Sequence, residues 1–281
     1  MPTLNPNLYT VTWIAPLEIK GYNIVIAIFT AGQIYSTSSA TSLASHVRKS
    51  FLNLWFGLLV GVATGLPNLA CSLPPLAEGD YPAILPYSLG KQKGVGGFEL
   101  LCYGYLLPQT IHVVSSVIGK IKAKEQGMEA VLRYYNKAAR KDTKFSDPGQ
   151  ENDFFYLSCD DTPVARQRQL DAKCTCLWYS LIRSGDKLLK SSQDRDKLRD
   201  KYNVIGMEME AAGVMNKIPV GNIHGVCDYG DKQKNKDWQL YTVVMAAVFI
   251  KALLLEITLK SAIQSASART GMLLYHLILA C

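Results

Sequence analysis

The sequence predicts an α/β fold, a single domain built on a central mixed, twisted sheet flanked by helices. Three observations lead there. Asn23-Ile-Val-Ile-Ala-Ile-Phe29 and Trp55-Phe-Gly-Leu-Leu-Val60 are continuous apolar runs, the pattern of strands buried on both faces. Each runs into a glycine-bearing turn, with a helical pattern between them, the rhythm of strand, turn, helix, strand. A chain of 281 residues with 48% apolar and 19% charged residues can bury a sizeable core, which excludes a disordered polymer.

In chain order, residues 9–14 read as an opening strand and 23–29 as the first buried one. Thr30-Ala-Gly-Gln33 is a turn, and a Ser/Thr-rich entry leads into a helix over 38–51. Residues 55–60 form the next strand, closed by the turn Gly61-Val-Ala-Thr-Gly65. The proline-rich stretch 66–108 has weak periodicity. Helical patterns resume over 109–122 and 127–140, and 141–173 reads as a polar surface loop. Then follow a strand (177–182), a charged helix (192–202), a short strand (204–207), a helix (210–216), a strand (221–226) and a long helix (238–263). With no internal repeat and no linker, the division is one domain over 1–264 and an apolar tail over 265–281 that packs on the body or on a partner.

The net charge of +7 is modest. Its basic residues concentrate at 119–140 and 183–201, in helical patterns that form no aromatic-basic platform, so they read as solvated helix faces rather than a nucleic-acid surface. The apolar run 240–259 is interrupted by Lys251 and Glu256, as in a core helix rather than a membrane span. No signal-peptide pattern opens the sequence, and the seven cysteines show no CxxC pair, so reduced thiols in the cytoplasm are expected. The four histidines, His46, His112, His224 and His276, are scattered. They read as surface or satisfied core histidines, and no metal site is expected.

Chemistry concentrates in GMEMEAAGVMNKIPVGNIHGVCDYGD, residues 206–231. Glu208, Met209 and Glu210 stand where a strand hands over to a helix. Asp228 ends the next strand, at the edge where open α/β sheets bind ligands. Each acid has a structural reading as well: a first-turn acid favoured by the helix dipole for Glu210, and a cap or turn aspartate for Asp228. Two acids on converging elements also suit a diol and a leaving group, because a carboxylate accepts two hydroxyl hydrogen bonds and a second can act as general acid.

These residues resemble the purine nucleoside phosphorylase and nucleosidase superfamily, particularly the phosphorylase domains of filamentous fungi. The resemblance extends to YTVTWIAPLE (9–18), VIAIFTAGQIYSTSSATSLA (25–44), FGLLVGVATGLP (56–67) and LWYSLIRSGDKLLK (177–190), and is strongest over 204–241. It implies a nucleoside-phosphorylase-like sheet and cleavage of the N-glycosidic bond of a purine nucleoside through an oxocarbenium-like transition state. On this resemblance Glu210 binds the ribose hydroxyls, Met209 packs under the sugar, and Glu208 adds a sugar contact or is structural. Asp228 protonates or hydrogen-bonds N7 of the base. Ser184 and Gly185 line the base pocket with Leu188 and Leu189, whose other reading is core packing. Glu18 matches the water-activating glutamate of the nucleosidase branch. Gly32, Gln33, Gly61 and Thr64 would donate to phosphate or water, and Ala63 and Thr64 stand where the family has glycines. The resemblance also implies a homo-oligomer, and no cofactor beyond inorganic phosphate as co-substrate.

Two departures bear on mechanism. Only Ile19-Lys20-Gly21-Tyr22 separates Glu18 from the next strand, too few residues for a parallel crossover of about a dozen. A hairpin or a straight continuation is expected there. Neither glycine loop contains arginine to hold an anion, so hydrolysis and phosphorolysis both stand. The alternative to glycosidic cleavage is a retained fold that has lost this reaction and serves as a binding module or runs another reaction in the same pocket.

Overall fold

The computed structural model describes residues 12–19, 22–28, 36–67, 84–86, 90–93, 97–100, 112–123, 127–166, 178, 181–257 and 275–280. Strands β1 (Thr12–Ile19) and β2 (Tyr22–Ile28) form an antiparallel hairpin with Glu18 opposite Asn23. The four-residue gap therefore closes a hairpin, as its length demands. Helix α1 (Thr37–Ser50) starts on Ser36, whose hydroxyl accepts the Ser39 N–H, and carries Arg48 and Lys49 in its last turn, complementing the helix dipole. Strand β3 (Leu54–Gly65) is the spine of the sheet, with twelve residues, nine of them buried.

Short strands β4 (Ile84–Pro86), β5 (Gly90–Lys93) and β6 (Gly97–Leu100) follow, and β5 pairs antiparallel with β6. Helices α2 (His112–Ala123) and α3 (Gly127–Lys141) come next. The stretch expected as a surface loop contains two 3-10 turns and a hairpin of β7 (Phe154–Tyr156) and β8 (Pro163–Ala165). Then come β9 (Ile182–Ser184), α4 (Ser192–Tyr202), β10 (Gly206–Glu208), α5 (Ala211–Met215), β11 (Val220–Asp228), α6 (Asp237–Glu256) and β12 (Tyr275–Ala280).

The main sheet has eight strands in the order β1-β2-β12-β3-β10-β9-β4, with β11 also paired to β3. It is mixed: β2, β12, β3 and β11 run parallel, while β1 and β10 run antiparallel to their neighbours β2 and β3. Residues 275–280, expected as part of an apolar tail, are thus a strand between β2 and β3 and part of the body.

The period-two alternation of β3 feeds two cores. Phe56, Leu58 and Val60 point to the face covered by α2, α3 and α6, with Val114, Ile121, Val131 and Leu253. Leu59 points to the other face, against α1 and α5, with Ala40, Leu43, Ala44, Val47, Ala211 and Val214. Helix α6 is long and apolar enough to cross a membrane by length and composition. Here it packs on β11 and β3, with nine residues buried.

Helix α5 packs closely on α1. A Cβ at Gly213 would collide with the Thr37 carbonyl in the first turn of α1, and Thr41 Oγ1 donates to the Gly213 carbonyl at 3.1 Å. The small residues of α5 therefore serve close approach to α1. Gly213→Ala is expected to lower stability by about 1–3 kcal/mol through overpacking against backbone. A shift of the urea midpoint at unchanged m-value would show it, and an unchanged midpoint would refute the close-approach role.

Candidate active site

The acidic turn is organised by Glu208. Its Oε2 accepts the backbone N–H groups of Glu210 and Ala211, both at 2.8 Å, and so satisfies two donors at the start of α5. Ser184 Oγ, from the neighbouring parallel strand β9, accepts a third, the Ala212 N–H, at 2.8 Å. Glu208 and Ser184 are thus structural supports of this helix end. Glu210 occupies the cap position but makes no side-chain capping bond. Its Oε2 accepts only the Met209 N–H, at 3.2 Å, among the contacts of the described residues.

Glu210 is nevertheless buried, with 5% of its surface exposed. Burial, reinforced by the negative charge of Glu208 and Asp186, pushes its carboxyl up to about 7. Burial also raises Glu208, against the pull of the Ser184 hydroxyl and of the two N–H groups it accepts. Met209 beside them is half-buried. Asp186 accepts the Thr37 N–H at 2.6 Å and the Thr37 hydroxyl at 3.0 Å, clamping the start of α1 to the segment after β9. Gly185 follows Ser184 in that segment and donates its N–H to the Glu208 carbonyl at 3.1 Å.

Asp228 lies across β3. Thr64 pairs with Met207 of β10 and also with Asp228 of β11, so the two acidic segments flank one residue and lie within about 10 Å in the pairing direction. A bulge helps to aim Asp228: Val226 pairs with Ala63 and Asp228 with Thr64, so Cys227 is the extra residue. Asp228 Oδ1 accepts the Thr64 hydroxyl at 2.7 Å and the Gly230 N–H at 2.9 Å, and Oδ2 faces Lys234 Nζ at 3.0 Å. Gly230 sits at φ 68°, a conformation that suits glycine, and a Cβ there would press on Leu189 and Thr64. Behind the turn, Tyr229 donates to Asp153 at 2.6 Å and accepts from Arg166 at 2.8 Å. The buried Arg195 guanidinium bonds the Tyr156 carbonyl at 2.8 Å and lies 3.9 Å from Asp231. The 141–166 segment is therefore the brace of the Asp228 turn.

Glu208, Glu210, Ser184, Gly185, Ala63, Thr64, Met209 and Asp228 thus come together around the ends of β3, β9, β10 and β11. Leu189 joins the apolar cluster of Leu66, Leu181, Tyr202, Val204 and Met207, so core packing holds for it, while Leu188 is 56% exposed. Gly32 and Gln33 lie outside the described residues.

Two expected site residues do not join. Gly61 is not in a turn: β3 runs on through it to Gly65, and Gly61 is paired with His224. Glu18 is held at the other end of the sheet. It pairs with Asn23, Asn23 with Tyr275, and Tyr275 with Leu54, ten residues or roughly 33 Å along β3 from Thr64. The hairpin fixes that register, so Glu18 cannot activate water beside Glu210.

Sequence reasoning missed two residues. Lys234, in the run Lys232-Gln-Lys-Asn-Lys236, is the ion-pair partner of Asp228. His224 is not a satisfied core histidine. Its side chain is 2% exposed and its ring nitrogens have no hydrogen-bond partner. Burial lowers its pKa to about 4, so it is neutral at pH 7 and its 4.0 Å approach to Glu208 is not an ion pair. The signal for it was a polar residue at alternate positions, Asn222 and His224, in an otherwise apolar strand.

No family model matches the chain. A nucleotide-binding leucine-rich repeat (NLR)-like protein of Hyaloscypha variabilis is 30% identical over 257 residues, 84% of this chain. The match spans about a quarter of that relative, 25% of its length. Among solved structures, a futalosine hydrolase mutant of Helicobacter pylori is similar with a TM-score of 0.51 at 12% identity, over 89% of this chain and 91% of that one. The 5'-methylthioadenosine/S-adenosylhomocysteine nucleosidase of Helicobacter pylori with butyl-thio-DADMe-Immucillin-A gives 0.50 at 12% identity, over 89% and 90%. At this identity the likeness shows the fold: this chain is a single α/β domain, a mixed sheet flanked by helices, of the nucleoside phosphorylase and nucleosidase type.

Proposed function

We propose that this domain binds a purine nucleoside at the β10–α5 turn and cleaves its N-glycosidic bond. The observation that carries the reading is the division of labour in the acidic turn. Glu208 caps α5, which leaves the buried Glu210 carboxylate outside the helix end, with Asp228 across Thr64. Glu210 would accept the two ribose hydroxyls. Its carboxyl, at about 7, is held partly protonated near neutral pH, and hydroxyl donors favour its charged form. A carboxylate at that place lowers the energy of positive charge developing on the sugar. Asp228 Oδ2 faces the Lys234 ammonium at 3.0 Å and would pass a proton from it to N7 of the base as the glycosidic bond breaks. Water or inorganic phosphate would complete the displacement.

One observation favours a second reading. With Glu18 at the far end of the sheet, the nucleophile lacks the activating acid that the family resemblance implies. The domain would then hold a nucleoside without turning it over, as a binding module.

Calorimetry with adenosine, inosine, guanosine and methylthioadenosine, paired with chromatography for free base with and without phosphate, separates the readings. Release of base supports cleavage, and its phosphate requirement distinguishes phosphorolysis from hydrolysis. Binding lost in Glu210→Ala without base release supports the module. Absence of both binding and release contradicts the nucleoside site.

A further inference from the structure

Glu208, Glu210 and His224 make up a buried cluster whose ligand-capable atoms, one from each residue, all lie within 4.8 Å of one another. The elements are rigid: β10 and the start of α5 carry the two acids, and β11, paired with β3 along eight residues, carries the histidine. Gly221 and Ile223 face α2 and its core, which turns Asn222 and His224 to the α1 and α5 side, where Glu208 reaches toward His224 Nε2 at 4.0 Å.

The hydrogen-bond inventory here does not close. A buried polar group without a partner costs roughly 1–3 kcal/mol, so folded proteins leave few of them. Among the described residues, His224 Nδ1 and Nε2, Glu208 Oε1 and both amide atoms of Asn222 have none. The His224 ring and Glu208 lie together with Glu210, whose carboxyl Glu208 repels. A neutral imidazole offers one lone pair and the carboxyls offer oxygen, so a single positively charged electron-pair acceptor would meet His224, Glu208 and Glu210 together.

We propose that Glu208, Glu210 and His224 bind one divalent transition-metal cation of the zinc class. The donor set of one imidazole and two carboxylates suits zinc, cobalt or manganese better than magnesium or calcium, which take oxygen ligands alone. Two carboxylates neutralise the double charge, and burial of the neutral imidazole keeps its lone pair available. Three protein ligands leave a coordination position open, the pattern of zinc sites that meet substrate. Around zinc, with ligand bonds of about 2.0–2.2 Å, tetrahedral donors stand ~3.4 Å apart, so the cluster contracts by about an ångström through side-chain rotation. Glu208 keeps Oε2 on the α5 N–H groups and offers Oε1 to the cation. The site stands independently of nucleoside cleavage, because it is read by the metal itself.

The test uses the purified chain stripped with EDTA and dialysed. Zinc is titrated by calorimetry, and cobalt by visible absorption. One equivalent is expected to bind, with cobalt d–d bands and without the near-ultraviolet thiolate-to-cobalt bands that cysteine ligation gives. In His224→Ala, affinity is expected to fall by at least roughly tenfold to a hundredfold, the loss already seen when mere outer-shell partners of such sites are removed. Glu210→Gln, nearly isosteric, is expected to weaken binding comparably and supplies the answer if His224→Ala does not fold by circular dichroism. No binding, thiolate bands, or affinity unchanged in the folded variants would overturn the site.

Discussion

Asp228→Asn is expected to slow base release by about 100- to 10,000-fold, the usual contribution of a positioned acid or base. The geometry makes the substitution specific. Asparagine can keep one acceptor for the Thr64 hydroxyl and the Gly230 N–H, which hold the turn at 2.7 and 2.9 Å. It replaces the oxygen that faces Lys234 at 3.0 Å with an amide that cannot relay a proton, so proton transfer to the base is lost while the turn is retained. The loss should fall on kcat more than on nucleoside affinity, because leaving-group activation belongs to the transition state. Rate constants measured beside nucleoside affinities check this. An unchanged kcat in a folded Asp228→Asn protein would remove Asp228 from the chemistry.

The second large effect is on stability, and it is favourable. Glu210 in the folded protein holds its proton up to about 7, against an ordinary 4.5. A carboxyl whose folded pKa is raised binds its proton more tightly folded than unfolded. It therefore favours folding at low pH, and that benefit is lost as pH climbs from 4.5 to 7. At 1.36 kcal/mol per unit the loss is roughly 3 kcal/mol, complete above pH 7. Glu210→Gln cannot ionise and does not suffer it. The variant should gain on the wild type by roughly 3 kcal/mol between pH 4.5 and pH 8, measured by urea unfolding in EDTA. His224 titrates in the opposite sense: with its pKa lowered from 6.5 to about 4, it weakens the fold as pH falls through that window. It does so in both proteins, so the difference between them isolates Glu210. Parallel pH profiles would show that the carboxyl is not held protonated. A residue that costs stability at neutral pH and ionises on meeting hydroxyls fits a binding role better than a structural one.

The sequence carried the buried strands, the helix over 192–202 and the acidic turn, because each rests on local chemistry. Apolar β-branched runs, a serine cap and a strand-to-helix junction are written within a few residues. Elements fixed by distant partners were not legible. Gly61-Val-Ala-Thr-Gly65 has the composition of a turn, yet it is strand because β11 pairs along it and β10 pairs at its end. The six residues of β12 have the composition of a tail, and only their fit between β2 and β3 makes them a strand. The three-residue strands β7 and β8 are shorter than any periodicity can register. At the site, Glu210 and Asp228 were visible as acids at element ends. The exchange of roles in which Glu208 caps the helix and Glu210 does not depends on backbone geometry that no spacing states. His224 and Lys234 became meaningful only through the carboxylates they face. Glu18 is the converse case. Its local sequence resembles a catalytic segment, but the short connection to β2 forces a hairpin that directs it away from the site.

The most direct measurement is single-turnover base release, with the protein in excess over radiolabelled purine nucleosides, with and without phosphate. Slow product release cannot mask the bond cleavage under those conditions. Glycosidic cleavage at this site predicts stoichiometric free base from at least one nucleoside, lost in both Glu210→Gln and Asp228→Asn. Intact nucleoside recovered bound to the wild-type protein after prolonged incubation would contradict cleavage and leave a nucleoside-binding module.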